Sequence, residues 1–341
     1  MPFVRSKIVD YAKDYWWQPC KDGIVWAKNG SINLSQLALK KKLPNYGGAF
    51  LWYRGTKSPQ TEGLFLVPRA QIDKTISDKS ESQFPDAVMI CSYEDNPGEE
   101  PDDVKKKKLP YYGLNDCTHF TTECLGFGGF PVTDAHARVG APQLHQYLTA
   151  HKDTKVLASD VSQDVAAAVI SAGLLKAGDV IVYGEGGRRN HHHHGVVYID
   201  EGGQILMHTW HRKEDWYSAG GDNQTYSLFH LSVDDDFSTA AGRWVGWWQI
   251  TQGTDVRYYY FSKNGHVFSQ KQKPTSTKET PTGADYWFPD AKNQNKVRVC
   301  IRGKGIVETY TIAPGASAGA PVNGGQQNGP GGLILGALKL E

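Results

Sequence analysis

Apolar and polar positions follow two rhythms along this chain, and the switches between them mark out its elements. Residues 6–17 keep helical spacing and read as a first helix. Three apolar runs at 46–53, 63–68 and 86–93, bounded by turn residues, read as short strands. A polar stretch from Asp95 to Lys108, with Pro97, Gly98 and Pro101, is a loop. It feeds a short helix over 114–125, with Phe120 and Cys124 below Cys117 on one buried face and Gly126, Gly128 and Gly129 as its stop. Helical spacing returns at 141–148 and 160–172, the second opening at Ser162 and closing at Gly173.

Strands are then expected at 180–183, 194–199 and 205–209, as antiparallel neighbours. From Thr254 the texture turns to aromatic alternation, with strands at 256–261, 266–268, 286–288, 297–301 and a fifth at 307–312. Residues 313–332, rich in Gly, Pro, Ala, Asn and Gln, read as a flexible tail. The apolar run 333–338 could dock on something. The pattern predicts an α+β protein divided into 1–252, with 30–110 as an elaborated N-terminal part, a small β subdomain over 253–312, and the tail 313–341.

The helix that begins at Cys117 carries the sharpest chemical signal. Asn115 or Asp116 can cap its first turn, and the unpaired N–H groups there, at the positive end of the helix dipole, favour thiolate over thiol. A thiolate nucleophile needs a base, and His194 opens a strand downstream, while His208 lies on the next one. Side by side on one sheet, His194 would take the thiol proton and His208 would hold the imidazole in its tautomer. His193 is the alternative base, and His211 the alternative orienting residue. Asp116 reads as cap and local orienter. The oxyanion would be held by the Cys117 N–H and a donor from Asn115 or Tyr112. The competing reading of Cys117 is a buried structural thiol.

The order Asp-Cys-Thr-x-Phe on a helix, Gly-Asp-Val-Ile before a His-led strand, then His208-Thr209 and His211-Arg212, resembles the Putative amidase domain family of papain-like cysteine hydrolases. It is also similar to bacterial cell-wall peptidases with a Cys-His-polar triad, and residues 8–16 resemble the family's first helix. The resemblance implies a papain-like core, catalytic Cys117, His194 and His208, and peptidoglycan stem peptides as substrate. Two features depart from the pattern: His119, where Asn is more usual, and the run His191 to His194. Asn-Asp-Cys-Thr-His-Phe also echoes lecithin-retinol acyltransferases, but in those the histidine strand precedes the cysteine helix.

Bulk numbers narrow the classes. With 37 basic and 36 acidic residues the net charge is +1, which gives no general attraction to nucleic acid or anionic membranes. Five scattered cysteines do not make a disulfide framework. Consecutive histidines on one loop cannot close a tetrahedral metal site, so neither metal nor cofactor is expected. Ten tryptophans and 17 tyrosines suggest a substantial aromatic surface or core, and Trp244, Trp247 and Trp248 are too close together to be buried on one strand face, so some could line a groove. Neither a secretory signal nor a membrane-spanning run is evident, so a cell-wall role would need a specialised route such as type VI secretion, with an immunity protein and secretion apparatus as partners. The rival readings are a thiolate acyltransferase or deamidase on a protein or lipid, and a non-catalytic aromatic-rich glycan or protein binder.

Overall fold

The computed structural model describes residues 2–16, 20–21, 24–27, 30–33, 49–54, 63–67, 86–92, 117–133, 140–185, 190–207, 212–217, 224–252, 254–276, 281–290, 292–311, 321–328, 333–334 and 336–340. In chain order their elements are α1 (Arg5–Tyr15), β1 (Ile24–Ala27), β2 (Gly30–Asn33), β3 (Ala49–Arg54), β4 (Gly63–Val67), β5 (Asp86–Ser92), α2 (Cys117–Phe127) and α3 (Ala141–Ala150). Next come β6 (Thr154–Val161), α4 (Gln163–Ser171), β7 (Val180–Glu185), β8 (Asn190–Ile199), β9 (Gln204–Met207), β10 (Arg212–Asp215), β11 (Gln224–Leu231) and α5 (Ser238–Trp244). The chain continues as β12 (Gly246–Gln252), β13 (Asp255–Phe261), β14 (His266–Gln270), β15 (Asp285–Pro289), β16 (Lys296–Ile301), β17 (Ile306–Thr311), β18 (Pro321–Asn328), β19 (Leu333–Ile334) and β20 (Gly336–Lys339). Helices combine with antiparallel sheets, so the α+β expectation stands. No described helix is long and apolar enough to cross a membrane.

The chain divides into two compact units, residues 1–144 with 191–219 and residues 145–190 with 220–341. In the first, α2 is nearly enclosed: Cys117 to Thr122, Cys124 and Leu125 are all buried. Its stop is a Schellman turn. Phe130 N–H donates to Leu125 O at 2.9 Å, Gly129 N–H donates to Gly126 O at 2.9 Å, and Gly129 takes the positive φ of 80° that this closure needs. Buried Phe130 then lies in the same core as Leu125.

α1 packs against α2 through Ile8, Tyr11 and Ala12. Gly128 permits the approach: its carbonyl accepts from Val4 N–H at 2.8 Å, and a Cβ there would stand 2.2 Å from Ile8 Cγ1. Gly128→Ala should therefore destabilise the protein by about 1–3 kcal/mol through overpacking. A chemical denaturation midpoint equal to wild type would contradict this close fit.

β8, β9 and β10 form an antiparallel ribbon in the same unit, with Val197 opposite Leu206 and Met207 opposite Arg212. The β8–β9 pairing matches the sequence expectation, although β8 starts at Asn190, ahead of the expected His194. β3 pairs antiparallel with both β4 and β5, and β1 with β2.

In the second unit β11 lies between β6 and β7, antiparallel to both. α4 keeps the predicted limits, with Ser162 at its N-cap position and Gly173 at φ 67° just past its end. The strands β17-β16-β15-β14-β13-β12-β20-β18 form one sheet, and β18 pairs back onto β17, so the sheet closes into a barrel with β19 attached outside the ring. Residues 321–328 and 333–339 thus correct the expected flexible tail: backbone pairing to β17 and β12 organises a segment whose side chains alone predict disorder. The barrel also begins before the expected 253 boundary, because β12 is one of its staves.

One aromatic core holds Trp244 and Trp248 stacked at 4.8 Å with Phe237, Phe261, Trp287 and Tyr310. Trp247 takes the opposite face of β12, edge-on to Tyr260 at 5.4 Å. All three clustered tryptophans are buried, which overturns the groove expectation, because α5 and the two faces of β12 share them out. The turn after β16 docks on β6 through Gly303 N–H to Val156 O and Ser159 N–H to Gly303 O, each 2.9 Å.

A buried charge network ties β7, β11 and the following loop together. Asp179 accepts from His230 Nδ1 at 2.8 Å, from Leu231 N–H at 3.0 Å and from Lys176 N–H at 2.7 Å. His230 Nε2 meets Asp235 at 2.9 Å, and Asp235 also receives Lys155 Nζ at 2.7 Å and Lys176 Nζ at 2.8 Å. Lys155 lies between the rings of Phe237 and Phe288, 4.5 and 4.7 Å from their centroids.

Candidate functional site

Cys117 is the first residue of α2, so its sulfur sits where the helix leaves its N–H groups unpaired. The residue is 1 % exposed, and Thr118 Oγ1 lies 4.0 Å from Sγ. Cys20, Cys124 and Cys300 are buried thiols too. Burial pushes the Cys124 and Cys300 pKa values up, and Cys300 Sγ donates to Leu157 O at 3.4 Å. Those two thiols are poor nucleophiles held in apolar surroundings.

Four positions from Cys117, one turn along the same face of α2, Thr121 donates its hydroxyl to the carbonyl of Gly195 in β8. Gly195 is the residue after the histidine run. A Cβ at Gly195 would stand 2.4 Å from Leu144 Cδ2 and 3.4 Å from Thr121 Cγ2, so glycine is what lets β8 come against this helix. One helical turn is about 5.4 Å, so the backbone at the end of the histidine run is fastened within about one turn of the nucleophile candidate. α2 also contacts β9.

The predicted site residues fare differently. Cys117 is at its expected helix start. His194 and His193 lie in β8, whose backbone is described without their side chains, and His208, His211, Asp116, Asn115 and Tyr112 lie outside the described residues. His119 is buried within α2. Sequence reasoning missed the link between Thr121 and Gly195. An isolated glycine inside a strand pattern was the available signal, since it marks a close backbone approach.

No curated protein and no solved structure matches the chain. Residues 93–229 match the family model described as Putative amidase domain, a span that contains α2, the histidine run and β9.

Proposed function

We infer that the protein is a papain-like cysteine amidase in which Cys117 is the nucleophile and an imidazole from the start of β8 is its base. The observation that carries the reading is the Thr121 hydroxyl on the Gly195 carbonyl, which fastens the histidine-bearing strand to the cysteine helix. The amidase family match over 93–229 supports hydrolysis of an amide as the reaction class.

In the proposed reaction the imidazole takes the thiol proton, and sulfur attacks the amide carbonyl carbon. The oxyanion is held by the Cys117 N–H and a donor from Asn115 or Tyr112. The C–N bond breaks as the imidazolium protonates the departing amine, which leaves a thioester. Water activated by the same imidazole then splits the thioester into carboxylate and thiol. His208 is the proposed orienting residue.

Two histidines compete for the base. Sequence reading favours His194, the first residue of the expected alternation. His193, its neighbour in the run, is the alternative. Alanine variants at the two positions decide: the base is the one whose loss lowers kcat by about 10²–10⁴-fold and removes the lower limb of the pH profile.

Peptidoglycan stem peptides are the proposed substrate, and delivery into a competitor's periplasm by a specialised secretion system, with an immunity protein in the producer, is the proposed setting. Digestion of purified sacculi should release muropeptides cut at an amide. An acyl adduct or a Gln-to-Glu change in a protein target would replace this reading with the transferase or deamidase one. Periplasmic expression should lyse a sensitive bacterium, and normal growth would sink the effector role.

Access to the sulfur is separately measurable. Iodoacetamide at neutral pH should label Cys117 ahead of Cys124 and Cys300. Slower labelling at Cys117 than at those two would mean a structural thiol.

A further inference from the structure

In the second unit, a break in a strand brings a serine hydroxyl and an imidazole together. The β6–β11 register pairs Val161 with Tyr226 and Ala158 with Leu228, so Ser159 and Asp160 together oppose the single residue Ser227. That is a β-bulge, which re-aims side chains and is common beside active sites. Asp160 takes φ 54°, the positive φ of a non-glycine residue among the described residues. Residues held in that left-handed region cost stability and cluster at functional sites.

Two hydroxyls of the bulge converge on one ring nitrogen. His145, in α3, brings Nε2 to 3.2 Å from Ser227 Oγ and 3.5 Å from Ser159 Oγ. Its ring stands edge-on to Phe229 at 5.2 Å, which sets the imidazole over β11. Ser227 has no exposed surface, and its Oγ accepts the Asp160 N–H at 2.9 Å. Ser159 is partly exposed, so of the two hydroxyls it is the one a substrate can reach. Its backbone is fixed, because its N–H donates to Gly303 O at 2.9 Å. The Ser159 hydroxyl also lies 3.4 Å from Asp160 Oδ2, so rotation of the O–H alone decides whether its proton faces carboxylate or imidazole. Contacts of this length are common in unliganded enzymes and tighten when substrate arrives.

We propose that Ser159 and His145 form a second nucleophilic centre, one that takes small activated carboxylic esters. Ser159 Oγ attacks the ester carbonyl carbon as His145 Nε2 takes its proton. The C–O bond to the alcohol breaks, the imidazolium returns the proton to the departing oxygen, and the acyl group stays on Ser159. Water deprotonated by the same imidazole then releases the carboxylic acid and restores the hydroxyl. A serine and histidine at this separation suit a good leaving group, which is why the class is esters and not amides. The inference stands apart from the cysteine chemistry.

The test is covalent labelling of the full chain carrying Cys117→Ala, so that no thiol at that position contributes. A biotinylated fluorophosphonate should form one adduct, with phosphorus on Ser159 Oγ and fluoride released, located by peptide mass spectrometry. Ser159→Ala should abolish the adduct. His145→Gln should slow its formation by about 10²–10⁴-fold, and turnover of 4-nitrophenyl acetate should fall with the same two substitutions. Thermal unfolding midpoints show whether each variant is folded. Should His145→Gln not fold, the parent chain still decides, because labelling must speed up as the imidazole loses its proton between about pH 5 and 8. No adduct, an adduct elsewhere, indifference to a folded His145→Gln, or a rate flat with pH overturns the proposal. Failure of Cys117→Ala to change amide hydrolysis would leave the serine adduct untouched, so the two readings fall separately.

Discussion

Cys117→Ala should lower amide hydrolysis by at least about 10³-fold while the chain keeps its fold. Removing the nucleophile of a covalent hydrolase takes away the whole low-barrier route and leaves only what binding and an oxyanion site contribute. The structural effect should be small, because the substitution deletes one sulfur atom at a helix start. Thr118 Oγ1 lies 4.0 Å from that sulfur. The discriminating measurement is a pair, turnover of a peptide amide and the thermal unfolding midpoint. Lost activity with an unchanged midpoint supports the nucleophile. Activity retained within about tenfold would make Cys117 a packing residue and move the search to another part of the matched span. Gly195→Val offers an independent check, since it pushes β8 away from Leu144 and Thr121 without touching the sulfur.

Asp179→Ala should destabilise the second unit by about 3–5 kcal/mol, the range for removing one partner of a buried ion pair. Asp179 has no exposed surface, and its loss strips hydrogen bonds from the His230 ring, Leu231 N–H and Lys176 N–H together. The network also carries a pH signature. Burial alone would lower the His230 pKa, but the charge and hydrogen bond of Asp179, with help from Asp235, outweigh it and raise the value above 6.5. An imidazole raised in the folded state contributes stability that is complete below pH 6.5 and is lost as pH rises through the folded value.

Asp235 shows the opposite sign. Burial would raise it, but His230, Lys155 and Lys176 together bring it well below 3.8, so its contribution is present above that value and is lost as acid protonates it. Unfolding free energy should therefore be greatest between about pH 4 and 6.5 and decline on the alkaline side. His230→Gln should flatten that alkaline decline. A wild-type profile that rises from pH 6 to 8 would contradict the raised imidazole.

The sequence carried much of this through local signals. Period 3.6 with a glycine stop located α2 and α4, because caps and Schellman closures are written within a few neighbouring residues. The aromatic alternation after Thr254 located β13 to β17 for the same reason. Partners far apart in sequence were not legible. Asp179 reads as part of a Gly-Asp turn, and nothing near it announces that its carboxylate will hold His230, 51 positions away. The three tryptophans looked too crowded to bury because a single strand face was assumed, whereas a short helix and both faces of β12 divide them. β6, β11 and β12 escaped notice because strands buried on both faces lose clean alternation. For the candidate site, composition and order supplied the nucleophile candidate and the histidine run. That Gly195 would bring the end of the histidine run against the helix was not legible, because its close fit to Leu144 and Thr121 exists only once α2 and β8 have met.

The ring of strands in the second unit is sealed by β18 and β20, which follow all its other staves in sequence. Until residues 321–339 have left the ribosome, β12 and β17 remain open edges able to pair with a neighbouring nascent chain. Emergence of β18 and β20 is thus the event that shuts the cylinder. A chain cut short before β18 should be caught by chaperones or precipitate, even though every stave from β12 to β17 has been made.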